Sequence, residues 1–368
     1  MFEMTRGAAH SRSATDAADE VGAIRLMIVD DSVVARAVIT RILETRPGFE
    51  IAAVAGSADR AIELLATVQV DIILLDVEMP GTDGLTALPR ILEVSDSARV
   101  LIVSSACGEG AAASVKALTL GAADTLLKPG AGNLAGRFAD ELYDRLLRLG
   151  HARRAVAAPV GGNRVLAPAS GAEPVACLAI GASTGGIHSL SAFFRALPET
   201  FRAPILITQH LPAAFMPYFA AQLQEIAGRK TITASDGARL RAGEMLIAPG
   251  DAHINLIRTR DGGVRVRLDR TPSVSGCLPS VDPMFEAAAK VFGAGALGVV
   301  LSGMGRDGVG GAAALVAAGG EVLAQDAATS VVWGMPGAVA NAGLATAILP
   351  PDRIAARIGG RMTSPQWK

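Results

Sequence analysis

Ile180-Gly181-Ala182-Ser183-Thr184-Gly185-Gly186 is the stretch on which the reading of this chain turns. An apolar run, Val175 to Ile180, leads into it, and a helical pattern, Ile187 to Leu197, leads out. Its context is therefore strand, tight turn, helix, the repeating unit of a parallel sheet. Gly181 and Gly185 flank Ser183 in the spacing G-x-S-x-G. Small neighbours let the backbone turn sharply and lift the serine oxygen above the strand ends. The helix that follows starts with unpaired N–H groups and the positive end of its dipole. Such a place suits an attacking oxygen and the oxyanion it creates, and it equally suits a bound phosphate. The stretch alone leaves both open.

Outward from it, the alternation of strand and helix continues to about Gly359. Strands are expected at Val175 to Ile180, Pro204 to Thr208, Thr231 to Ala234, Met245 to Ala248, Leu297 to Leu301 and Glu321 to Ala324. Ile254 to Ile257 and Val264 to Leu268, joined across Asp261-Gly262-Gly263, read as an inserted hairpin. Gly334-Met335-Pro336-Gly337 opens a last helical stretch. One doubly wound domain accounts for residues 175–360, with 361–368 as a C-terminal tail. Three of its strands deliver chemistry: the first Ser183, the second Gln209-His210, and Leu297 to Leu301 the run Ser302 to Gly308, with Asp307. A serine, a histidine and an aspartate at one edge of a parallel sheet are the parts of nucleophilic acyl transfer. The histidine takes the serine proton and the aspartate holds the imidazole.

A dinucleotide site fits less well. Forced onto G-x-G-x-x-G, the stretch puts Ser183 where backbone must approach a pyrophosphate. An acidic residue is also expected about twenty positions on, where this chain presents Gln209-His210. The α/β-hydrolase fold shares G-x-S-x-G but runs Ser, Asp or Glu, His; here the order is Ser183, His210, Asp307. Of the remaining histidines, His188 reads as a helix-surface residue and His253 as structural or substrate-side, while His10 and His151 are expected in disordered segments.

The first half repeats the architecture. Strands at Arg25 to Val29, Glu50 to Val54, Asp71 to Leu75, Val100 to Val103 and Asp124 to Leu127 alternate with helices such as Val33 to Glu44 and Asp59 to Ala66. Ligands of such sheets bind beyond the C-terminal strand ends. Those ends carry Asp30-Asp31, Asp76, Ser104-Ser105 and Lys128-Pro129. Converging carboxylates repel unless a cation sits between them. An all-oxygen set with open positions suits Mg²⁺, with Lys128 and Ser104 reaching an incoming phosphoryl group. Taken singly, Asp30 and Asp31 could simply cap the next helix.

These residues, with Asp76-Val77-Glu78-Met79-Pro80-Gly81-Thr82-Asp83-Gly84, resemble the receiver domains of two-component signalling. The resemblance implies that Asp76 accepts phosphate. It implies that Asp30, Asp31, Asp76 and the Glu78 backbone carbonyl hold Mg²⁺, and that Ser104 and Lys128 sense the phosphoryl group. Many receivers carry an aromatic switch three positions before the lysine; this chain has Thr125.

A chain of 368 residues suits two such domains. Half the residues are hydrophobic but only 4% aromatic, so the core is built from Ala, Val, Leu and Ile. A net charge of −1 argues against a nucleic-acid surface or a polybasic membrane patch. Cys107, Cys177 and Cys277 form no zinc or disulfide spacing and read as buried thiols in a reducing cytosol. No apolar run is long enough to span a bilayer, and residues 1–23 lack a signal-peptide core and read as a disordered tail. The receiver is expected over 24–149 and a linker rich in Ala, Pro and Gly over 150–174, in which Arg153 and Arg154 read as a solvated hinge. The expectation is a cytoplasmic protein made of a flavodoxin-like receiver and a Rossmann-like domain with an inserted hairpin.

With both halves in view, the chain from Ile24 resembles the chemotaxis protein-glutamate methylesterase and glutamine deamidase family. The matching segments are Ile180 to Gly186, Ile207-Thr208-Gln209-His210, Ile247-Ala248-Pro249-Gly250, Pro279-Ser280-Val281-Asp282, Ser302 to Gly308 and Gly334-Met335-Pro336. The resemblance implies Ser183 as nucleophile, His210 as base and Asp307 as its orienter. Oxyanion support is implied from backbone near Met304, with Thr184 beside it. The implied substrates are methyl-accepting chemotaxis receptors and the implied phosphate donor a chemotaxis histidine kinase. The unphosphorylated receiver is expected to cover the cleft, so the isolated fragment from Val175 should outperform the unphosphorylated full chain. The alternative class is a non-enzymatic response regulator with a nucleotide- or partner-binding output domain. One departure stands out: basic residues usual before Pro-Ser-Val-Asp are replaced by Cys277-Leu278. That predicts weaker contact with acidic surfaces and service to an atypical chemosensory array.

Overall fold

The computed structural model describes residues 22–104, 108–128, 135–156 and 173–367. The expected N-terminal tail apart from its last two residues, Ser105, Cys107, Pro129 and most of the linker lie outside them, as does His10.

The receiver strands are β1 (Ile24–Val29), β2 (Phe49–Ala55), β3 (Ile72–Leu75), β4 (Arg99–Ser104) and β5 (Asp124–Leu127). They form a parallel sheet in the order β2-β1-β3-β4-β5. Helices α1 (Val33–Glu44), α2 (Ala58–Leu65), α3 (Gly84–Val94), α4 (Gly108–Leu120) and α5 (Ala135–Val156) connect and flank the strands. β3 and the Leu26–Val29 part of β1 are buried throughout, as continuous apolar runs covered on both faces must be. Each fully buried Leu or Ile contributes about 1.5–3 kcal/mol. Ser32, Ser57 and Asp83 cap α1, α2 and α3 by accepting the N–H of Ala35, Arg60 and Thr86, so the sharp strand-to-helix turns have local causes.

The second domain contains β6 (Cys177–Ala182), β7 (Ile205–Gln209), β8 (Thr231–Thr233), β9 (Met245–Ile247), the hairpin β10 (His253–Arg258) and β11 (Val264–Asp269), β12 (Ala296–Val300), β13 (Glu321–Gln325) and β14 (Ala347–Leu349). Its helices are α6 (Gly186–Ala196), α7 (Met216–Ala227), α8 (Val281–Phe292), α9 (Val309–Ala317), α10 (Met335–Asn341) and α11 (Pro351–Gly359). Seven parallel strands run β14-β13-β12-β6-β7-β9-β8, so the order reverses between β6 and β12. Such a reversal opens a crevice at the strand ends.

Four sequence expectations change. β14 and α11 were not foreseen, because Ala347–Leu349 is too short to show periodicity. Helix α5 continues through Val156, past the expected boundary at 149, and takes in His151, which was expected in a disordered segment; the run His151-Ala152-Arg153-Arg154 shows no apolar period in the sequence that would mark a helix. The expected C-terminal tail is tied to the domain at Met362 and Trp367: the Met362 carbonyl accepts from Val175 N–H at 2.8 Å, and Trp367 Nε1–H donates to the Ala176 carbonyl at 2.6 Å. Gly181 lies inside β6 rather than in the turn, and a Cβ there would stand 2.5 Å from Val281 Cγ1. It lets α8 approach the sheet.

The two domains meet face to face. Helix α4 packs on α6 and α7, and Ala111, Val115 and Leu118 join Phe215, Met216 and Ala220 in one buried cluster. On a second front, Val331, Val332 and Met304 pack with receiver residues, and the Arg99 guanidinium donates to the Val331 carbonyl.

Candidate active site

Ser183 leaves β6 on a turn pinned from three sides. Its N–H donates to the Ser302 carbonyl at 3.0 Å, and its own carbonyl accepts from Gln209 Nε2 at 2.9 Å. Ser302 Oγ donates to the Thr184 carbonyl at 2.8 Å. Gly185 then starts α6 at a φ of 75°, where a Cβ would lie 2.4 Å from Val331 Cβ. Only glycine takes that conformation in that space.

His210 follows β7, and its Nε2 stands 2.8 Å from Asp307 Oδ2. Nδ1 is therefore the nitrogen left for the cleft. Asp307 is 2% exposed yet fully satisfied. Ser280 Oγ donates to Oδ1 at 2.6 Å, and the N–H groups of Val281 and Asp282 donate at 2.7 and 3.4 Å. The carboxylate thus also caps α8, whose N-terminal dipole favours negative charge. Burial alone would raise the Asp307 pKa, but His210, Ser280 and the Val281 N–H outweigh it and hold the group well below the usual carboxylate range. Burial likewise opposes charge on His210, yet Asp307 and Cys277 together push the imidazole up to about 9.

Ser183, His210 and Asp307 line one cleft of about 1260 Å³, so the structure brings the three expected residues together. Among the described residues, no hydrogen bond joins Ser183 Oγ to His210. Instead Cys277, expected to be buried, is partly exposed at the cleft wall with its sulfur within 4.8 Å of the His210 ring, and the imidazole holds the thiol below its ordinary pKa. Cys177 is buried, as expected. Met304 lines the cleft. Thr184 does so too, but its hydroxyl donates to Asp124 Oδ2 of the receiver at 2.8 Å, away from Ser183. The Gly185 N–H donates to the Ala123 carbonyl at 2.9 Å, and Arg145 pairs with Asp124 at 2.8 Å. Receiver residues Asp124, Glu141, Asp144 and Arg148 form the opposite wall of the cleft.

Two supports were missed in the sequence. Gln209 was taken only as the neighbour of His210, and Ser280 only as part of a motif. Their roles depend on contacts across the sheet that no local pattern encodes. His253 is structural: its Nδ1 accepts from Ser280 N–H at 2.8 Å and its Nε2 bonds the Thr271 carbonyl at 2.9 Å. His188 is exposed on α6.

In the receiver, carboxylate oxygens of Asp30, Asp31 and Asp76 lie within 4.8 Å of one another. Lys128 Nζ reaches Asp76 Oδ2 at 2.7 Å and Asp30 Oδ2 at 2.8 Å. It approaches Asp30 off the hydrogen-bonding direction, leaving Oδ2 buried without a well-directed donor. Burial raises the Asp76 pKa, Lys128 lowers it and the Asp30 charge raises it again. Three carboxylates this close, balanced here by the single charge of Lys128, fit a divalent hard cation. Glu78 N–H donates to Asp76 Oδ1 at 3.2 Å. Ser104 Oγ sits 2.6 Å from Ser114 Oγ, so in this arrangement its hydroxyl is engaged with α4. Thr125, at the switch position, is buried with its hydroxyl unpaired.

The fold and the two sites define a receiver domain coupled to an α/β domain with the parts of a serine hydrolase. Comparison with known proteins agrees. Residues 26–136 match the response regulator receiver domain and residues 178–358 match CheB methylesterase. The protein-glutamate methylesterase/protein-glutamine glutaminase 2 of Caulobacter vibrioides is 44% identical over 93% of this chain and 99% of its own length. A protein of the same description from Paramagnetospirillum magneticum, numbered 1, is 40% identical over 90% and 94%. The crystal structure of the Thermotoga maritima CheB methylesterase catalytic domain is 35% identical over 50% of this chain and 98% of that one, with a TM-score of 0.49. The chain belongs to the protein-glutamate methylesterase/protein-glutamine glutaminase family.

Proposed function

We propose that this chain removes methyl esters from glutamyl side chains of methyl-accepting chemotaxis receptors, releasing methanol, and deamidates receptor glutamines. Phosphorylation of the receiver by a chemotaxis histidine kinase controls both. The observation that carries the reading is the His210–Asp307 pair, 2.8 Å apart, at the strand ends beside Ser183. Ser183 Oγ attacks the side-chain carbonyl while its proton passes to His210 Nδ1. Asp307 keeps the other ring nitrogen protonated and steadies the cation. Backbone N–H groups near Met304 and the start of α6 take the oxyanion; each such donor is worth about 2.7–4 kcal/mol in the transition state. Methanol, or ammonia from glutamine, leaves with the proton on His210. Water then attacks the acyl-enzyme through the same base, releasing glutamate.

Regulation follows from the second wall of the cleft. A glutamyl side chain on a folded receptor helix can enter only an open site, and the receiver stands across this one. The hydrogen bonds from Thr184 to Asp124 and from Gly185 to Ala123 tie the nucleophile's own turn to β5. Asp76 is the phosphate acceptor, and Asp30, Asp31 and Asp76, with the Glu78 carbonyl, hold Mg²⁺, which supplies charge neutralisation for the phosphoryl oxygens. Lys128, now spanning Asp30 and Asp76, swings to the phosphoryl group and Ser104 turns to it. Those two movements loosen the β5 contact.

Methanol release from methylated receptor, with the full chain and Ser183→Ala, tests the assignment. The serine variant should be inert and should resist serine-directed covalent labelling. Methanol release that survives the substitution removes Ser183 from the mechanism and returns the output domain to a binding role.

A further inference from the structure

Cys277 lies on the loop between β11 and α8, against the catalytic dyad. Its sulfur, a ring nitrogen of His210 and a carboxylate oxygen of Asp307 all fall within 4.8 Å of one another. The loop is held in place. Ser273 Oγ donates to the Cys277 carbonyl at 2.8 Å, Cys277 N–H donates to Ser275 Oγ at 3.3 Å, and Ser275 Oγ donates to Ser280 Oγ at 3.3 Å. Ser280 in turn donates to Asp307. The three donors therefore belong to one connected framework with an open side toward the cleft.

We propose that Cys277, His210 and Asp307 form a binding site for a divalent transition-metal ion of the zinc class, and that occupancy shuts off the hydrolase by withholding the imidazole from Ser183. Sulfur, nitrogen and oxygen in one cluster are the donors such ions take, with the fourth position left to water or Ser183. Mg²⁺ prefers the all-oxygen cluster in the receiver, so the two sites select different ions. Binding replaces the thiol proton and the imidazolium proton, both released to solvent, and leaves a metal–thiolate bond. The binding stands on the cluster alone; the inhibition rests on the proposed role of His210.

The test uses the full chain in excess Mg²⁺, which keeps the receiver site filled, and titrates Co²⁺ and Zn²⁺. Co²⁺ should produce a near-ultraviolet thiolate-to-cobalt charge-transfer band that Zn²⁺ displaces and Cys277→Ser lacks. Zn²⁺ should suppress methanol release reversibly by EDTA. The serine variant, referred to its own metal-free rate, should need about tenfold more Zn²⁺ or greater. Absence of the band in the native chain, or its survival in Cys277→Ser, overturns the site. A Cys277-dependent band without loss of methanol release overturns the inhibitory role and, with it, His210 as the base.

Discussion

In the proposed mechanism the chemistry is concentrated in the ring of His210. Its two nitrogens are divided between a buried carboxylate and the cleft, and its pKa is pushed up to about 9 against the effect of burial. Only the neutral imidazole can take the Ser183 proton. Methanol release, measured with chelator present in the cuvette, should therefore rise with pH until about 9 and level off above it. In Cys277→Ser the rising limb should move to lower pH, because the sulfur no longer helps hold the proton on the ring; an unmoved limb would show that the sulfur does not act on the ring. Asp307→Asn reverses the donor pattern at Nε2 and favours the wrong tautomer. By analogy with other triads the fall in kcat should be about 10⁴-fold, with binding of receptor little altered. A kcat within tenfold of the native chain would mean that the pair orients nothing.

At the scale of elements, the turn between β6 and α6 is where fold and chemistry constrain each other. Gly185 sits at a φ of 75° with Val331 2.4 Å from where a Cβ would be. Gly185→Ala should cost about 1–2 kcal/mol in backbone strain and more from the clash, lowering both the denaturation midpoint and the esterase rate. The same turn is latched to β5 through Asp124, which also pairs with Arg145. A hydrogen bond to a carboxylate is worth about 1.5–3 kcal/mol, so its removal shifts a closed–open balance by about tenfold or more. Asp124→Ala should accordingly raise methanol release by the unphosphorylated chain and blunt further activation by a small phosphodonor. An unchanged basal rate would locate the inhibition elsewhere on the interface, in the packing of α4 on α6 and α7.

For the whole molecule, the receiver is both wall and switch. Treating the full chain with acetyl phosphate and Mg²⁺ should accelerate methanol release, and Asp76→Asn or chelation of Mg²⁺ should abolish the acceleration while leaving the basal rate. Acceleration that persists in Asp76→Asn would place the acceptor on another residue. The path available to the signal is short. Lys128 directly follows β5, Asp124 begins it, and Asp124 accepts from the residue next to Ser183. A strand whose two ends touch the acid cluster and the nucleophile turn needs no longer route.

Much of this was legible in the chain. Apolar runs followed closely by Asp30, Asp76, Ser183 and His210, and one whose following loop carries Asp307, pointed to two parallel sheets and to the residues at their edges, because strand period and turn chemistry are local properties. The order Ser183, His210, Asp307 was enough to exclude the ordinary α/β-hydrolase arrangement. What only the tertiary structure decided lies across long sequence separations: Asp307 capping α8, Gln209 holding the Ser183 carbonyl, Thr184 turned to Asp124, and Cys277 lodged against His210. A residue's type limits which bonds it can make, but which partner it meets is settled when the sheets pack and every buried polar group must find one.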